Sequence, residues 1–413
     1  MKIIEAFSGI GSQVKALKNI GVEYDLIANI DWDINAIIAY DIIHNKEQNL
    51  EEFKKYSKEE LIEKIKNYSF SFDGKVPYEK KQLKNTPREV LERALFAIKR
   101  CNNLVSIVDV KGKDIPSNID LFTYSFPCQD LSVAGSWHGN ISGIDRSAKN
   151  RSGMLWEVER ILKEMTEQKK ELPKFLLMEN VSNLLSKRHS INFEEWKNFL
   201  KNLGYVNEVY ILNARDFGIP QNRERVFMLS IQTNFDPQKK EKIKKFLEEN
   251  DLNNKLYLKS IVKDKKRVED ILKIDYSIEK YKIEANSVQP NDTESRRKIF
   301  EENEKIFDGI KFAPFIKTIT TKQDRNPNSG VIFHEKSNDG KSSFRYLTPR
   351  ECFLFMGFDE EDYEILIKNN FFVRKKVLFF TDNKLYKMAG NSIVVKVLEY
   401  IFKNMLKLNE ILG

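Results

Sequence analysis

The sequence predicts an α/β protein with a doubly wound, mostly parallel sheet and a second, smaller domain. The chain opens with a short apolar strand (2–7), a glycine-containing turn and a helix (13–19). A second apolar strand (26–30) and a mostly apolar helix (34–44) follow, and this β-α-β-α order is typical of a parallel sheet covered by helices. The chain has 413 residues, of which 41% are hydrophobic, so it is long enough for two domains with sizeable cores.

Changes in composition divide the rest of the chain into an insertion, a continuation of the first domain and a second domain. Residues 45–103 are rich in Lys, Glu and Asn with helical periodicity, and we interpret them as a helical insertion on the surface. Apolar strands resume at 119–126, 175–178, 205–212 and 226–231. The alternation of strands and helices is then lost. We therefore expect a first domain over 1–231, a second domain over 232–342, and a return segment over 343–413 that completes the first domain.

Charge and cysteine usage narrow the classes of function. Lys and Arg number 69 and Asp and Glu 61, which gives a formal net charge of +8. This excess fits a polyanionic partner such as nucleic acid, or a solvated lysine surface. Three scattered cysteines and four histidines without ligand spacing argue against a disulfide framework or a protein-bound metal. There is no signal-peptide pattern and no apolar run of membrane-spanning length, so a cytoplasmic location is expected.

The apolar run 119–126 ends in Pro127-Cys128-Gln129. This places a thiol at the carboxyl end of a predicted strand, the edge at which open α/β sheets bind ligands. A thiolate at that edge can act as a nucleophile if its surroundings lower its pKa. The alternative is a buried cysteine that packs as a small hydrophobic residue. This short segment alone leaves both interpretations open.

The first strand-to-helix turn, 7–11, carries two glycines that allow close approach to a cofactor. Val14 stands where a dinucleotide-binding fingerprint needs its third glycine, so a nucleoside-type cofactor without a pyrophosphate fits better. Asp31 ends the second strand, where acidic residues bind ribose hydroxyls in this fold class. Trp32 offers a flat face to a purine, or packs in the core.

Two further segments carry candidate polar side chains. Glu179 follows the strand 175–178 and should share the sheet edge of Cys128, although Glu-Asn is also a common helix start. Arg223 and Arg225 occupy alternate positions of an extended segment, so they are expected on one side. Such a pair suits planar hydrogen bonding to a base or a phosphate, or forms a surface charge cluster.

Taken together, six segments resemble the bacterial DNA cytosine 5-methyltransferase family, in particular its mollicute-type members that methylate CpG. They occur in the family's order over nearly the whole chain, apart from the insertion 45–103 and the segment between Arg225 and Arg345. The six segments are Phe7-Ser8-Gly9-Ile10-Gly11, Phe126-Pro127-Cys128-Gln129, Glu179-Asn180-Val181, Gln221-Asn222-Arg223-Glu224-Arg225, Arg345-Tyr346-Leu347-Thr348-Pro349-Arg350-Glu351 and Ala389-Gly390-Asn391-Ser392-Ile393.

The resemblance implies roles for the catalytic residues. Cys128 corresponds to the nucleophile that adds to carbon 6 of cytosine, so that carbon 5 takes a methyl group from S-adenosylmethionine. Glu179 corresponds to the residue that binds ring nitrogen 3 and the exocyclic amine. Arg225 corresponds to the arginine that holds the carbonyl oxygen of the base, with Arg223 beside it on the base or the DNA backbone.

The resemblance also implies an S-adenosylmethionine site in the first domain. Asp109 is the candidate for reading the adenine amine. Asp31 stands where the family usually has glutamate, and the shorter side chain keeps the acceptor oxygens for the ribose. The implied cofactor contacts are Phe7, Gly9, Gly11, Asp31, Trp32, Asp109, Asn391 and Ser392.

The target base has to leave the duplex, because carbon 6 is unreachable in a stacked helix. The segment 129–151, with Gly135, Gly139 and Gly143, resembles the family's loop that closes over the flipped base. The segment 315–321 resembles an element of the target-recognition domain, which corresponds to 232–342. The residues expected to bind DNA are Gln129, Ser132, Thr318, Thr320, Lys322 and Arg325.

The leading hypothesis is therefore a DNA cytosine 5-methyltransferase of a restriction-modification system. It acts on double-stranded DNA as a monomer, beside a separate cognate endonuclease. An RNA-methylating relative and a catalytically silent DNA-binding regulator are the alternatives. A nicotinamide-dependent oxidoreductase is disfavoured by Val14. The target sequence does not follow from the resemblance, because 322–330 departs from the CpG-type relatives.

Overall fold

The computed structural model describes residues 1–128, 131, 144–146 and 152–412. The chain divides into two compact units. The first unit comprises Met1–Leu212, Glu224–Tyr257 and Leu398–Gly413, and the second comprises Asn213–Arg223 and Leu258–Val397. Most of the expected return segment 343–413 thus groups with the second unit. Within the described ranges, no helix is both long and apolar enough to cross a membrane.

A six-stranded sheet forms the centre of the first unit. Its strands are β1 (Lys2–Ala6), β2 (Asp25–Ile30), β3 (Leu121–Tyr124), β4 (Phe175–Asn180), β5 (Tyr205–Asn213) and β7 (Glu224–Gln232). Their spatial order is β2-β1-β3-β4-β7-β5. Strands β1 to β4 run parallel, whereas β7 is antiparallel to β4. The predicted α/β class with a mostly parallel sheet is confirmed.

The helices begin and end close to the expected positions in the opening β-α-β-α segment. In the first unit they are α1 (Ser12–Asn19), α2 (Ile34–Asn45), α3 (Lys58–Ile65), α4 (Lys80–Asn85), α5 (Arg88–Arg100), α6 (Leu155–Glu167), α7 (Ser190–Asn202), α8 (Pro237–Glu249) and α9 (Lys255–Ile261), whose end passes into the second unit. Short 3₁₀ helices lie at Glu51–Phe53, Gly112–Asp114, Ser152–Met154, Ser182–Leu185 and Ala214–Phe217.

Both faces of the sheet are buried, as expected where helices cover a parallel sheet. Ile4 and Phe122 join a core cluster that includes Leu162 of α6 and Trp196 of α7. Ile3, the neighbour of Ile4, points to the opposite face and is also fully buried. The near-continuous apolar strands follow from this two-sided burial.

The segment 45–103 is more closely integrated than the expected surface insertion. Helix α5 carries an apolar stripe at helical spacing, and it packs against both α2 and α3. Ser71 pairs with the main chain on either side of Asp33: its N–H donates to the Trp32 carbonyl at 2.7 Å, and its carbonyl accepts from Ile34 at 3.0 Å. The insertion therefore supports the turn after β2.

The second unit combines small sheets with short helices. Its strands are β6 (Gln221–Asn222), β8 (Lys305–Phe307), β9 (Ile316–Lys317), β10 (Val331–Phe333), β11 (Phe344–Arg345), β12 (Phe372–Arg374) and β13 (Val377–Leu378). Its helices are α10 (Val268–Ile271), α11 (Glu279–Ser287), α12 (Glu294–Glu302), α13 (Pro349–Phe355), α14 (Glu360–Lys368) and α15 (Asp382–Asn391), and α16 (Val395–Leu412) leads back into the first unit. Of the expected β-like segment 315–321, only β9 is a strand.

A buried ion pair stabilises the start of α13. Arg345 and Glu351 form two parallel hydrogen bonds of 2.8 Å, and both side chains are fully buried. Burial by itself would raise the pKa of Glu351, but the charge of Arg345 and the N–H groups of Thr348 and Lys273 hold that pKa below its usual value. The segment from Arg345 to Glu351, one of the six that resemble the methyltransferase family, is thus held together by an internal ion pair.

Candidate active site

The register of the sheet brings four strand ends to one edge. Ala6 lies opposite Ile30 on one side and Tyr124 on the other, and Tyr124 lies opposite Met178. Because these strands are parallel, the residues that follow them meet at the same edge. Phe7, Asp31 and Ser125 directly follow their strands, and Glu179 lies within the last two residues of β4.

Hydrogen bonds hold the segment that carries Cys128 at this edge. The Asn180 side chain donates to the Phe126 carbonyl at 3.0 Å, and Ser152 Oγ donates to the Pro127 carbonyl at 2.7 Å. Asn180 is buried at the end of β4, so the main chain just before the thiol is tied to the neighbouring strand. The position of Cys128 therefore depends on β4 as well as on β3.

Cys128 is half-buried, whereas the other two cysteines, Cys101 and Cys352, are buried. Burial raises the pKa of the Cys101 thiol, and the neighbouring Asp41 carboxylate raises it further. Burial likewise raises the pKa of Cys352. Thiolate chemistry is therefore unfavourable at both, and Cys128 is the one thiol of the three that is open to a substrate.

Glu179 and Arg225 form a partly buried ion pair, with 3.3 Å between Arg225 Nε and Glu179 Oε1. Their side chains are 12% and 18% exposed, respectively. The pairing follows from the antiparallel register, in which Glu179 lies opposite Phe227 on β7, so that Arg225 lies close by. A carboxyl and a guanidinium side by side offer the acceptor and donor groups that a pyrimidine edge requires.

Arg223 has different surroundings from Arg225. It is buried in the second unit, and its guanidinium donates to the carbonyls of Ile319 at 2.8 Å and of Gly390 and Ser392 at 2.9 Å. These charge-assisted bonds tie two separate chain segments together. The resemblance implied that Arg223 contacts the base or the DNA backbone, and in this structure its guanidinium donates to three main-chain oxygens.

The turn after β1 adopts the conformation that its glycines permit. Phe7, Gly9 and Gly11 all have positive φ, of 58°, 54° and 77°. A Cβ on Gly11 would lie 2.3 Å from His44 Nε2, whereas one on Gly9 would meet nothing within 4 Å. Gly11 thus serves packing, and Gly9 borders open space.

Asp31 closes this turn onto β2. One carboxylate oxygen accepts from Gly9 N–H at 2.8 Å and the other from Asp33 N–H at 2.9 Å. Trp32 is half-buried beside it. Two buried polar atoms nearby, Ser8 Oγ and Asn103 Nδ2, have no hydrogen-bond partner among the described residues. This polar turn beside open space fits a nucleoside-containing cofactor.

Asn103 is a residue that the sequence reasoning missed. Its side-chain oxygen accepts from the N–H of Val105 at 2.7 Å and, more weakly, from that of Asp31 at 3.4 Å. Asp109, the expected adenine-reading residue, is exposed, and its main-chain N–H donates to Ser106. Asp31 is thus connected with Asn103, and not with Asp109, through these hydrogen bonds. An Asn at the end of a helical insertion carried no signal that could have distinguished it.

Glu5 is a buried carboxyl beneath the same turn. It accepts hydrogen bonds from Tyr40 Oη at 2.5 Å and from the N–H of Val14 in α1 at 3.2 Å. Burial raises the pKa of Glu5 to about 7, and these two hydrogen bonds oppose the rise. The carboxyl thus joins the first strand to the first two helices.

The remaining expected cofactor contacts lie in the second unit. Ser392 is buried, and its hydroxyl donates to the Met388 carbonyl at 2.8 Å, while Asn391 is exposed. A Cβ on the neighbouring Gly390 would lie 2.5 Å from the Thr320 carbonyl, so the chain needs glycine there.

The structure describes four of the six residues that were expected to bind DNA. Thr318 Oγ1 donates to the Asn222 carbonyl at 2.8 Å, and Thr320 Oγ1 to the Lys322 carbonyl at 3.1 Å. Lys322 and Arg325 are exposed, and Arg325 donates to Ser295 Oγ. Gln129 and Ser132, and most of the segment 129–151 with its three glycines, lie outside the described residues.

The chain is similar to known DNA methyltransferases. The family model for C-5 cytosine-specific DNA methylases matches residues 94–407. The orphan methyltransferase M.SssI of Spiroplasma monobiae is 34% identical over 97% of this chain and 96% of its own length. The type II methyltransferase M2.ScrFI of Lactococcus lactis subsp. cremoris is 35% identical over 98% and 99%. The Dnmt2 methyltransferase of S. pombe shares the fold, with a TM-score of 0.60, 19% identity and 98% coverage of both chains.

The chain belongs to the C-5 cytosine-specific DNA methylase family. It is a DNA (cytosine-5-)-methyltransferase that uses S-adenosylmethionine, and the expected likeness to the mollicute group is confirmed. Among the described residues, no cluster of His, Cys, Asp and Glu could hold a metal ion.

Proposed function

We propose that this chain methylates carbon 5 of a cytosine flipped out of a specific short duplex site, through a covalent adduct with Cys128. The observation that carries the proposal is the single sheet edge shared by the Cys128 segment, the Glu179–Arg225 pair and the Gly9–Asp31 turn. The restriction-modification setting rests on the type II relative.

The Cys128 sulfur forms a bond to carbon 6, and the ring electrons move towards carbon 5 and nitrogen 3. Glu179 holds nitrogen 3 and the exocyclic amine, while Arg225 holds the carbonyl oxygen, so developing charge on the ring is offset. The turn around Gly9 and Asp31 would hold S-adenosylmethionine, whose sulfonium would supply the methyl group and leave as a neutral thioether. A base then takes the carbon 5 proton, and the electron pair of that C–H bond expels Cys128 as a thiolate, which restores the aromatic ring.

A duplex containing 5-fluorocytosine tests the covalent step. Fluorine at carbon 5 cannot leave as a proton does, so the enzyme should stay joined to the DNA when the methyl donor is present. The Cys128→Ser variant should form no adduct while still binding duplex DNA. Cys101→Ser is the matched control, because it changes a buried thiol and should trap like the wild type. An adduct that forms in the Cys128→Ser variant contradicts the proposal.

The target and the setting need a separate measurement. Bisulfite sequencing of plasmid DNA from cells that express the chain reports the modified cytosine and its neighbours. Modification of cytosine at one short sequence supports a restriction-modification enzyme. If no cytosine is modified, the result supports a silent DNA-binding regulator. Methylation of RNA in preference to duplex DNA contradicts the proposed substrate. Light scattering should show a monomer.

A further inference from the structure

A β-hairpin in the second unit exposes apolar and cationic side chains together. Strands β12 and β13 form this antiparallel pair, with Phe372 opposite Leu378. Phe372 is 66% exposed, and Val377 and Leu378 are 44% and 39% exposed. Large exposed apolar side chains that neighbour one another on a strand pair indicate a binding surface. Residues 371–380 are called the cationic hairpin below.

The base of the cationic hairpin is firmly anchored. The Asn370 side chain accepts from the N–H groups of Phe371 and Phe380 at 3.0 and 2.9 Å, and it donates to the Phe380 carbonyl at 2.9 Å. The rings of Phe371 and Phe379 stack with centroids 4.9 Å apart. Because Phe371, Phe379 and Phe380 are buried, the exposed residues of the hairpin are attached to a packed base.

The tip of the hairpin is strongly basic. Arg374, Lys375 and Lys376 are consecutive and exposed, and the sequence has no acidic residue from 365 to 381. Three consecutive cations, in a stretch of sequence without acidic residues, complement a polyanion. A two-stranded ribbon also fits the major groove of B-DNA, where exposed apolar side chains can contact thymine methyl groups. An apolar protein partner would not require this charge.

The length of the helix after the cationic hairpin gives the distance from the hairpin to Thr320 in the expected recognition segment. Helix α15 begins at Asp382, directly beyond the hairpin, and Gly390 at its other end contacts Thr320. Ten helical residues span about 15 Å. This distance corresponds to about four base pairs of duplex, at about 3.4 Å each.

We propose that the cationic hairpin binds the phosphate backbone and groove of duplex DNA in the flank beside the recognised site. The inference rests on the proposed function, because it assumes a DNA substrate. It adds a contact surface outside Thr318, Thr320, Lys322 and Arg325, and it predicts that affinity depends on flanking DNA length.

The test is the triple variant R374Q/K375Q/K376Q, measured by fluorescence anisotropy on a long duplex and on one trimmed close to the site. On the long duplex, affinity should fall about tenfold or more, and the log–log salt slope should become shallower by about 0.9 per lost phosphate contact. On the trimmed duplex, the variant and the wild type should bind alike. Phe372→Ser should weaken binding to the long duplex without changing the salt slope.

The matched control is K240Q/K242Q/K245Q, which removes the same charge from exposed positions of α8. The control should bind within about twofold of the wild type. An equal loss in the control, an equal loss on both duplexes, or wild-type affinity of the hairpin variant overturns the proposal. Trapping of the wild type on 5-fluorocytosine DNA distinguishes failure of the hairpin proposal from failure of the proposed function. If the wild type is not trapped, the proposed function is refuted.

Discussion

The buried Glu5 carboxyl provides a quantitative test of the turn that holds the cofactor residues. Burial raises its pKa from 4.5 to about 7, so the folded protein binds a proton more tightly than the unfolded chain does. A carboxyl with a raised pKa costs stability as pH rises, because ionisation is easier after unfolding. The cost begins near the unfolded pKa and is complete above the folded pKa.

The magnitude follows from the shift. One pKa unit corresponds to about 1.4 kcal/mol, so the full cost is about 3 kcal/mol, most of which develops between about pH 5 and pH 8. Glu5→Gln cannot ionise; its amide oxygen can accept from the Val14 N–H, and its NH2 group can donate to Tyr40 Oη, which itself can accept. The free energy of unfolding of this variant, relative to the wild type, should therefore rise by about 2–3 kcal/mol over that range.

Urea denaturation at the two pH values, followed by fluorescence and by far-UV circular dichroism, measures this difference. Glu23→Gln is the control, because Glu23 is exposed, and its difference from the wild type should not change with pH. Tyr40→Phe removes a hydrogen bond that lowers the pKa of Glu5, so the loss of stability should then extend to higher pH. Parallel behaviour of Glu5→Gln and the wild type at both pH values would refute the reasoning.

Three further substitutions test other parts of the structure. Arg345→Met leaves the buried Glu351 without its partner and should cost about 3–5 kcal/mol of unfolding free energy, measured by denaturation. Gly11→Ala should weaken S-adenosylmethionine binding in calorimetry, since its Cβ would collide with His44 and its φ is 77°. Arg223→Lys cannot bond all three carbonyls with the same planar geometry, so thermal unfolding should occur at lower temperature.

The sequence was sufficient to predict the strand ends that form the candidate site. The apolar runs before Phe7, Asp31 and Glu179 are short and continuous, so their carboxyl ends could be located closely. Parallel pairing then requires that those ends coincide, which the register bears out. The strand ends indicated by the local sequence pattern are thus the same ends that the sheet brings together.

The arrangement of the two arginines could not be predicted in the same way. Alternate residues share a side only along one continuous strand. Here β6 ends at Asn222 and β7 begins at Glu224, with Arg223 between them. The chain passes from the second unit into the first at this point, so Arg223 and Arg225 take their partners from different parts of the fold. A break of one residue is invisible in the pattern of residue types.

The contribution of the segment 45–103 was also hidden, because a polar composition describes only the outward face of a helix. The inward face of α5 is apolar at helical spacing, and the main chain at Ser71 pairs beside Asp33. Such pairing is made by backbone groups and leaves no trace in side-chain chemistry. Since Asp33 N–H also donates to Asp31, the segment supports the cofactor turn through the main chain. Substitutions at Ser71 that keep its backbone should therefore affect S-adenosylmethionine binding less than a Ser71→Pro change, which removes the N–H donor to Trp32.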